Sequence, residues 1–315
     1  MARYLEQRLK IRHLRVIDAI EQHKSILRAS QALQISQPAL TRTLQEVEEI
    51  IGGELFVRHS RGMQVNDVGM LATAGARKLL VTLREMEDEL GRLVDRQRRV
   101  IRVGALPVAA HGLLPAVLAS ASGLAARLHI ELIEGRTDQL LPALARGEID
   151  VIVGRLYPPA IPDDFVRRVL YHEPISLIAR TDHPLFAQSA PTPDDVRAFP
   201  LVLPAVSTLM EHDVRALLDA IGLVPDDAIQ SSSVGFMREL LLSGNFVTAM
   251  PRILVAGDLA RGLLRILPIP LPPHDRPAGL MYRSELGAAG SMLLAEISGE
   301  LARLEDGEII TRVDV

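Results

Sequence analysis

Apolar side chains recur three and four positions apart through the first fifty residues, the spacing of helices with one buried face. The pattern predicts a helix over 10–24, a second helix capped by Ser25 and a third capped by Ser36. The Gly-Gly pair at 52–53 ends the third helix. Two helices joined by a short turn, with a third helix before them, predict an all-α helix-turn-helix domain.

The third helix has a polar face near its start, opposite its apolar stripe. The residues on that face are Gln37, Pro38, Thr41, Arg42 and Gln45. Arginine can bind guanine through two hydrogen bonds, glutamine can bind adenine, and the threonine and proline groups can contact a thymine methyl. Beyond the glycine pair, a short apolar run and a turn predict a two-stranded wing, where Arg58, His59 and Arg61 suit phosphate or minor-groove contact. The alternative is a plain polar face over a three-helix bundle.

A long helix without proline is predicted from Asp67 to about Arg99. Its apolar residues alternate steps of four and three: Ala72, Ala76, Leu79, Leu83, Met86, Leu90 and Leu93. This heptad seam predicts that two chains pair through residues 79–93. The alternative is a single helix that packs on its own domain.

From residue 100 the pattern changes to alternating strands and helices. A β-α-β-α-β order over 100–154 predicts a parallel sheet covered by helices. A second α/β set follows over 163–267, and the chain returns over 268–315 with a strand and a final helix. Two α/β lobes joined by crossing segments predict a ligand cleft between them.

Composition excludes several classes of protein. The 315 residues include no cysteine, which rules out disulfides, thiol catalysis and cysteine-ligated zinc. No segment approaches the ~20 apolar residues of a membrane span. The charged N-terminus lacks an apolar export region, so we expect a cytoplasmic protein. The net charge is −4, but residues 1–100 carry an excess of basic side chains, as a DNA-binding module fused to an acidic sensor would.

Enzymes and free-standing solute-binding proteins are the competing classes. The sequence contains no Walker loop, no Gly-x-Gly-x-x-Gly, no Gly-x-Ser-x-Gly and no His-Glu-x-x-His motif. We therefore expect no catalytic residues, no metal site and no cofactor, although a catalytic triad need not be local in sequence. A solute-binding protein would need neither the helix-turn-helix pattern nor the heptad seam.

The N-terminal pattern resembles the signature of LysR-type transcriptional regulators. The matching residues are Ser36-Gln37-Pro38-Ala39, Thr41-Arg42, Leu44, Val47-Glu48, Ile51-Gly52, Leu55-Phe56-Val57-Arg58 and Arg61. Where the family has Leu-Thr after its wing, this chain has Val65-Asn66, and Asn66 can cap the next helix equally well.

The resemblance implies a winged helix-turn-helix domain at 1–66, with Ser36 among its DNA contacts, a dimerisation helix at 67–99 and an effector domain at 100–315. Within the effector domain, lobe I would span about 100–162 with 268–315, and lobe II about 163–267; the two lobes resemble those of periplasmic solute-binding proteins. The partners implied are promoter DNA, a small-molecule effector and further copies of the chain in a dimer or tetramer, with RNA polymerase as a possible addition.

The resemblance also assigns effector contacts. They are Pro107, Val108 and Ala109 on the first loop, Thr137 at a helix start, and Ser207 with Thr208 at the facing helix start. His111 or Arg155 could add polarity, although a lone histidine is more often structural. Helix N-termini favour a carboxylate effector, and a sugar-type metabolite is the other class considered. Segments of lobe I are similar to the subgroup that regulates sugar uptake and protocatechuate breakdown.

Overall fold

The structure, a computed structural model, describes residues 5–59, 62–95, 99–120, 123–156, 165–224, 227–283 and 285–313. The predicted wing residue Arg61 and the side chain of the predicted seam residue Leu93 lie outside this description. Contacts divide the chain into two compact units, 1–97 with 145–147, and 98–144 with 148–315.

The N-terminal unit consists of helices and one small β-ribbon. Its elements are α1 (Leu5–Arg8), α2 (Ile11–His23), α3 (Ile26–Ala32), α4 (Gln37–Ile51), β1 (Phe56–His59), β2 (Gly62–Val65) and α5 (Asp67–Asp95). Strands β1 and β2 pair antiparallel, with Phe56 opposite Val65. The predicted helix-turn-helix, two-stranded wing and long following helix are therefore confirmed as elements of the fold.

Local hydrogen bonds fix the ends of these helices. The hydroxyls of Ser25 and Ser36 each accept the backbone N–H three residues later, at 3.4 Å in both cases. Gly52 ends α4 with φ of 86°, a left-handed conformation that glycine adopts at little cost. Asn66 caps α5 because its Oδ1 accepts the Gly69 N–H at 2.8 Å, as its position in the sequence predicts.

Helix α2 contributes the centre of the N-terminal core. Its buried side chains pack with those of α4, the wing and the first half of α5 in one cluster: Leu14, Val16, Ile17, Ala19, Ile20, Leu40, Leu44, Val47, Leu55, Phe56, Met63, Ala76 and Leu80. Arg77 of α5 adds ion pairs to α2, with its Nε 2.7 Å from the Asp18 carboxylate and its Nη2 on Glu21. The start of α5 is thereby fixed to the helix that supports α4.

The second unit alternates strands and helices. Its strands and helices are β3 (Arg99–Ala105), α6 (Leu114–Ser120), α7 (Leu124–Arg127), β4 (Leu128–Glu134), α8 (Thr137–Ala145), β5 (Val151–Arg155), β6 (Val166–His172), β7 (Ile175–Arg180), α9 (Pro193–Val196), β8 (Val202–Pro204), α10 (Thr208–Ala220), β9 (Ile229–Ser231), α11 (Val234–Ser243), β10 (Thr248–Pro251), α12 (Ala256–Ala260), β11 (Leu264–Ile266), β12 (Pro277–Tyr282), α13 (Gly287–Asp306) and β13 (Thr311–Arg312). A π-helical turn, Ala109–Leu113, precedes α6, and 3-10 turns occur at Pro184–Ala187 and Arg252–Val255.

A six-stranded sheet forms lobe I, in the order β13-β6-β12-β5-β3-β4. Strand β3 is parallel to both β4 and β5, which confirms the predicted β-α-β-α-β arrangement. Strand β12 then pairs antiparallel with β5 and β6, so the end of the chain returns to the first sheet. The carboxyl ends of β3 and β5 lie side by side and lead into the loops that carry the candidate site.

Lobe II has two small sheets, β10-β7-β11 and the parallel pair β8-β9. The predicted second α/β set over 163–267 includes the residues of β6, but β6 pairs with β12 in the sheet of lobe I. The alternation of apolar and polar residues predicts a strand but does not show which sheet the strand joins. For β6, the sheet depends on its partner strand β12, which lies about 110 residues later in the chain. We therefore place the crossing between the lobes after His172 rather than near 163.

Candidate functional sites

Helix α4 exposes the residues that the sequence assigned to base contact. Those residues share one face and are exposed or half-buried: Gln37, Pro38, Thr41, Arg42 and Gln45. The Arg42 side chain is 83% exposed, and Ser36 lies exposed one position before the helix. Leu40, Leu44 and Val47 are buried on the opposite face. The first two turns of α4 thus present the part of a recognition helix that reaches base edges.

Glu46 links α4 to α2, a role that the sequence reasoning missed. Its carboxylate accepts a bond from Arg12 Nη2 at 2.7 Å and lies 3.5 Å from His13 Nε2 and 3.7 Å from Arg42 Nε. Desolvation opposes ionisation of Glu46, but Arg12, His13 and Arg42 together outweigh it and lower the pKa of the carboxyl. The position of Glu46 four residues after Arg42 was the available signal. Glu46 is thus bonded to Arg12 of α2 and lies within ion-pair distance of Arg42.

The wing is held against the end of α2. The Met63 N–H donates to Lys24 O at 2.9 Å, and a Cβ at Gly62 would lie 2.4 Å from the same oxygen. Gly62 also has φ of 126°, so this turn requires glycine. Arg58 and His59 are exposed on β1. The close approach at Gly62 therefore fixes the wing relative to the helices, with Arg58 directed outward.

The predicted seam of α5 divides into two parts. Ala76 is buried with Leu80 in the core of the N-terminal unit. The start of the seam therefore packs on its own chain, as expected for a single helix that packs on its own domain. Further along, Leu79, Met86 and Leu90 are each about half exposed, at 53%, 51% and 50%, and Leu83 is half-buried. The exposed part of the stripe is an apolar surface that a second chain could cover.

The second unit contains a cavity of about 400 Å³ between its two lobes. Leu106, Pro107 and Val108, which follow β3, form one wall together with the first turn of α8. The first turn of α10 forms the opposite wall, from Val206 to Met210. Two helix N-termini therefore line one space large enough for a small metabolite. The Ser207 hydroxyl is occupied as the cap of α10, where it accepts the Met210 N–H at 3.2 Å.

A cluster of buried charges borders this cavity. Arg155 lies at the end of β5, and Arg276 precedes β12 with 1% of its side chain exposed. The carboxylate of Asp213 on α10 bonds both arginines, at 2.5 Å from Arg155 Nη1 and closer still to Arg276 Nη1. Glu173, also buried, lies 3.6 Å from Arg276 Nη2. Burial raises the pKa of Glu173, while Arg276 and Arg155 oppose that shift.

Six of the eight predicted effector residues line the cavity: Pro107, Val108, Thr137, Arg155, Ser207 and Thr208. Two do not. Ala109 is fully buried in the π-helical turn, and His111 lies outside the lining with its Nε2 3.4 Å from the Glu134 carboxylate. The helical turn that begins after Val108 directs these two residues away from the cavity.

The sequence reasoning missed other lining residues, among them Arg136, Asp138, Leu141, Glu173, Val206, Leu209, Met210 and Arg276. Within the part of the chain that the structure describes, no group of three or more His, Asp or Glu side chains could hold a metal ion. Over the same residues, no helix combines the length and apolarity needed to cross a membrane.

Comparison with known proteins assigns both units. The family model described as the LysR substrate binding domain matches residues 95–292, more than half of the chain. The model of the bacterial regulatory helix-turn-helix protein, lysR family, matches residues 11–70. The chain belongs to the LysR family. It is a DNA-binding transcriptional regulator with an effector-binding domain, as the sequence resemblance predicted.

Two curated LysR-type relatives span nearly the whole regulator. The HTH-type transcriptional regulator PcaQ of Agrobacterium fabrum (strain C58 / ATCC 33970) is 29% identical over 307 residues, which cover 96% of this chain and 98% of PcaQ. The uncharacterized HTH-type transcriptional regulator YdcI of Escherichia coli (strain K12) is 30% identical over 278 residues, covering 88% and 90% of the two chains.

A solved structure supports the LysR fold for the regulator. Full-length OxyR from Pseudomonas aeruginosa, with one of its cysteines replaced by aspartate, superposes with a TM-score of 0.60 at 23% identity, over 92% of this chain and 98% of that one. At this identity the likeness establishes the fold, an N-terminal winged helix-turn-helix followed by a two-lobed α/β domain. LysR regulators bind promoter DNA through the first part and a small-molecule effector through the second.

Proposed function

We propose that this LysR-type regulator binds an interrupted palindrome near a promoter, with two chains paired through α5 and tetramers formed by further contacts. The half-exposed stripe of Leu79, Met86 and Leu90 supports this pairing. Two recognition helices in one dimer can reach half-sites about one DNA turn apart. In each chain, Gln37, Thr41 and Arg42 of α4 would contact bases, while Arg58 of the wing contacts the phosphate backbone.

The effector that fits the cavity best is a small carboxylate. The observation that carries this proposal is the meeting of Arg155 and Arg276 with the N-terminal turns of α8 and α10 around one space of about 400 Å³. Guanidinium groups bind carboxylates through charge-assisted hydrogen bonds, and helix N-termini favour anions. Leu106, Leu141 and Leu209 offer apolar contacts to the remainder of the molecule.

A sugar-type metabolite is the second candidate. The hydroxyl side chains of Thr137, Ser207 and Thr208 line the cavity and favour a ligand with several hydroxyl groups. These groups can donate to and accept from a neutral ligand, whereas the arginines can only donate. The two candidates differ in charge, and charge can be tested directly.

The effector controls DNA binding by shifting the oligomer between arrangements that present the DNA-binding units differently. An effector can shift that equilibrium only through its different affinities for the two arrangements. We further propose that the regulator acts in the cytoplasm, has no catalytic activity and contacts RNA polymerase when it activates transcription. We also propose that the regulator is related to the subgroup that regulates sugar uptake and protocatechuate breakdown, because segments of its lobe I are similar to that subgroup.

Isothermal titration of the full chain against matched ligands tests the effector class. The ligands are benzoate and succinate as carboxylates, and glucose and galactose as neutral sugars. Arg155→Gln should weaken carboxylate binding by about tenfold or more, because a charged hydrogen bond contributes about 1.5–3 kcal/mol. Arg215→Gln, an exposed substitution on α10, serves as the control and should leave binding unchanged. Binding of sugars that is insensitive to Arg155→Gln would instead favour the second candidate.

A further inference from the structure

Asp213 connects the two lobes at the border of the cavity. It lies on α10 in lobe II, and its Oδ2 bonds Arg155 of β5 in lobe I at 2.5 Å. The same oxygen bonds Arg276, which lies on the segment that returns to lobe I. Asp213 is not among the residues that line the cavity. One carboxylate oxygen therefore occupies guanidinium nitrogens of the two arginines to which the anionic effector is assigned.

Among the described residues, Asp213 adds a negative charge to those that line the cavity. The charged lining residues are three arginines, at 136, 155 and 276, and two acids, at 138 and 173. Asp213 supplies the third negative charge. Arg136 and Asp138 form their own ion pair at 3.3 Å, whereas Glu173 and Asp213 are acids of the described chain that lie against the two inner arginines. An additional carboxylate there would compete with these acids for the same guanidinium groups, and carboxylates brought close together repel one another.

Release of one of these two acids from the arginines would therefore favour binding of a carboxylate. Glu173 follows strand β6 directly, and its side chain is completely buried beside Arg276. The side chain of Asp213 is 28% exposed and lies on a surface helix of the other lobe. Moving Asp213 into water costs less than moving a buried side chain, because its carboxylate is already partly hydrated. Asp213 is the acid that can be displaced.

We propose that Asp213 is an internal competitor of the effector: its carboxylate holds Arg155 and Arg276 and releases them when an anionic effector enters the cavity. This inference rests on the proposed carboxylate class of the effector and adds how the site selects for it. A neutral ligand cannot replace the negative charge of Asp213 on the arginines. Because the displaced carboxylate belongs to lobe II and Arg155 to lobe I, the same exchange removes a bond between the lobes.

The test measures anion affinity of the full chain at constant ionic strength, with sulfate, acetate, succinate and benzoate as probes. Asp213→Asn removes the charge of the competitor at nearly unchanged size. We expect at least one of these anions to bind Asp213→Asn at least about tenfold more tightly than it binds the wild type, the factor that loss of one competing charged hydrogen bond gives. Asp219→Asn, an exposed carboxylate on the same helix, is the matched control and should show no gain.

Two further variants define the origin of the gain. Arg155→Gln in the Asp213→Asn background should abolish it, and Asp213→Glu, which keeps the charge, should retain an affinity near that of the wild type. Asp213→Ser, small and neutral, repeats the main test independently, and circular dichroism verifies that each variant is folded.

The proposal is overturned if neither neutral variant binds any of the four anions more tightly than the wild type does, or if Asp219→Asn gains equally. A gain that survives Arg155→Gln contradicts it too, because the anion would then bind elsewhere. Failure of the proposed function has a different signature. In that case the wild type either lacks preference for its promoter DNA or binds only neutral sugars. The affinity for those sugars would then be the same in Asp213→Asn and the wild type.

Discussion

Arg42 is the residue that we propose for the main base contact of α4. Its side chain is 83% exposed on the polar face of the helix, and its Nε lies 3.7 Å from the Glu46 carboxylate. A bidentate contact to guanine is worth about 1–3 kcal/mol of discrimination against other bases. Because the Arg42 side chain is solvated, removing it should affect DNA binding without lowering the stability of the fold.

Arg42→Ala should therefore weaken binding to the specific site by roughly 10- to 100-fold and leave the thermal unfolding temperature unchanged. Fluorescence anisotropy with the specific duplex and a scrambled duplex measures the first effect, and calorimetry measures the second. Arg215→Ala removes the same charge from an exposed position outside the N-terminal unit and is the control. An unchanged affinity for the specific duplex in Arg42→Ala would remove this residue from base recognition.

At the scale of elements, the start of helix α2 has a hydrogen bond to His13 that we expect to depend on pH. The His13 side chain is 2% exposed, and its Nδ1 accepts the Lys10 N–H at 3.2 Å. Burial lowers the pKa of His13 below its usual 6.5; the Glu46 carboxylate opposes this shift, and Arg12 and Lys10 support it. Protonation of the ring would remove the acceptor, because both nitrogens of an imidazolium are donors.

The sign of the pH effect follows from that lowered pKa. As the pH falls below about 6.5, the unfolded state binds the proton first, so the stability that neutral His13 provides above this pH is progressively lost. We expect faster amide hydrogen exchange in α2 at about pH 5.5 than at about pH 7.5, after correction for intrinsic rates, equivalent to roughly 1 kcal/mol. His13→Gln keeps an acceptor at both pH values and should lack this change. Equal pH dependence in the two proteins would exclude His13 as its source.

Helix α5 makes a prediction about assembly. Met86→Glu places a charge within the half-exposed apolar stripe and should shift the oligomer toward monomer by at least about tenfold in dissociation constant, since a desolvated charge is costly at such an interface. Analytical ultracentrifugation measures the shift. Lys78→Glu introduces a carboxylate at an exposed position of the same helix, outside the stripe, and is the control. If Met86→Glu assembles as the wild type does, α5 does not pair the chains.

Most elements were predictable because their signals are local. The caps at Ser25, Ser36 and Asn66 are read from two or three neighbouring residues, and the structure confirms all three. Apolar spacing likewise gave the helix-turn-helix and the parallel order of β3, β4 and β5. The grouping of β6 was wrong because its sheet partner, β12, comes late in the chain.

The charge cluster at the cavity was predictable only in part. Arg155 stood out at the end of a predicted strand, but Glu173, Asp213 and Arg276 come from three distant segments that the lobe crossings bring together. Isolated charged residues of this kind normally indicate solvent-exposed positions, so their burial depends on the topology of the whole unit. The charge cluster could therefore be recognised only in the structure, whereas the cavity walls at Thr137 and Ser207 could be predicted from the sequence.

The whole molecule joins a basic DNA-binding part to an acidic effector-binding part. The net charge of −4 conceals this division, because residues 1–100 carry an excess of lysine and arginine and the remainder an excess of aspartate and glutamate. Phosphate contacts by the basic part release counterions, which makes DNA affinity depend steeply on salt. The base contacts proposed for α4 would add a preference for one sequence, and we expect this preference to persist when salt weakens both kinds of complex.

The most direct test of the account is fluorescence anisotropy of the full chain with the DNA upstream of its own gene and with a scrambled duplex, across a series of salt concentrations. We predict that affinity for both duplexes falls steeply with salt, and that the upstream duplex binds at least about a thousandfold more tightly at each concentration. Equal affinities for the two duplexes at every salt concentration would contradict sequence-specific promoter binding by this chain.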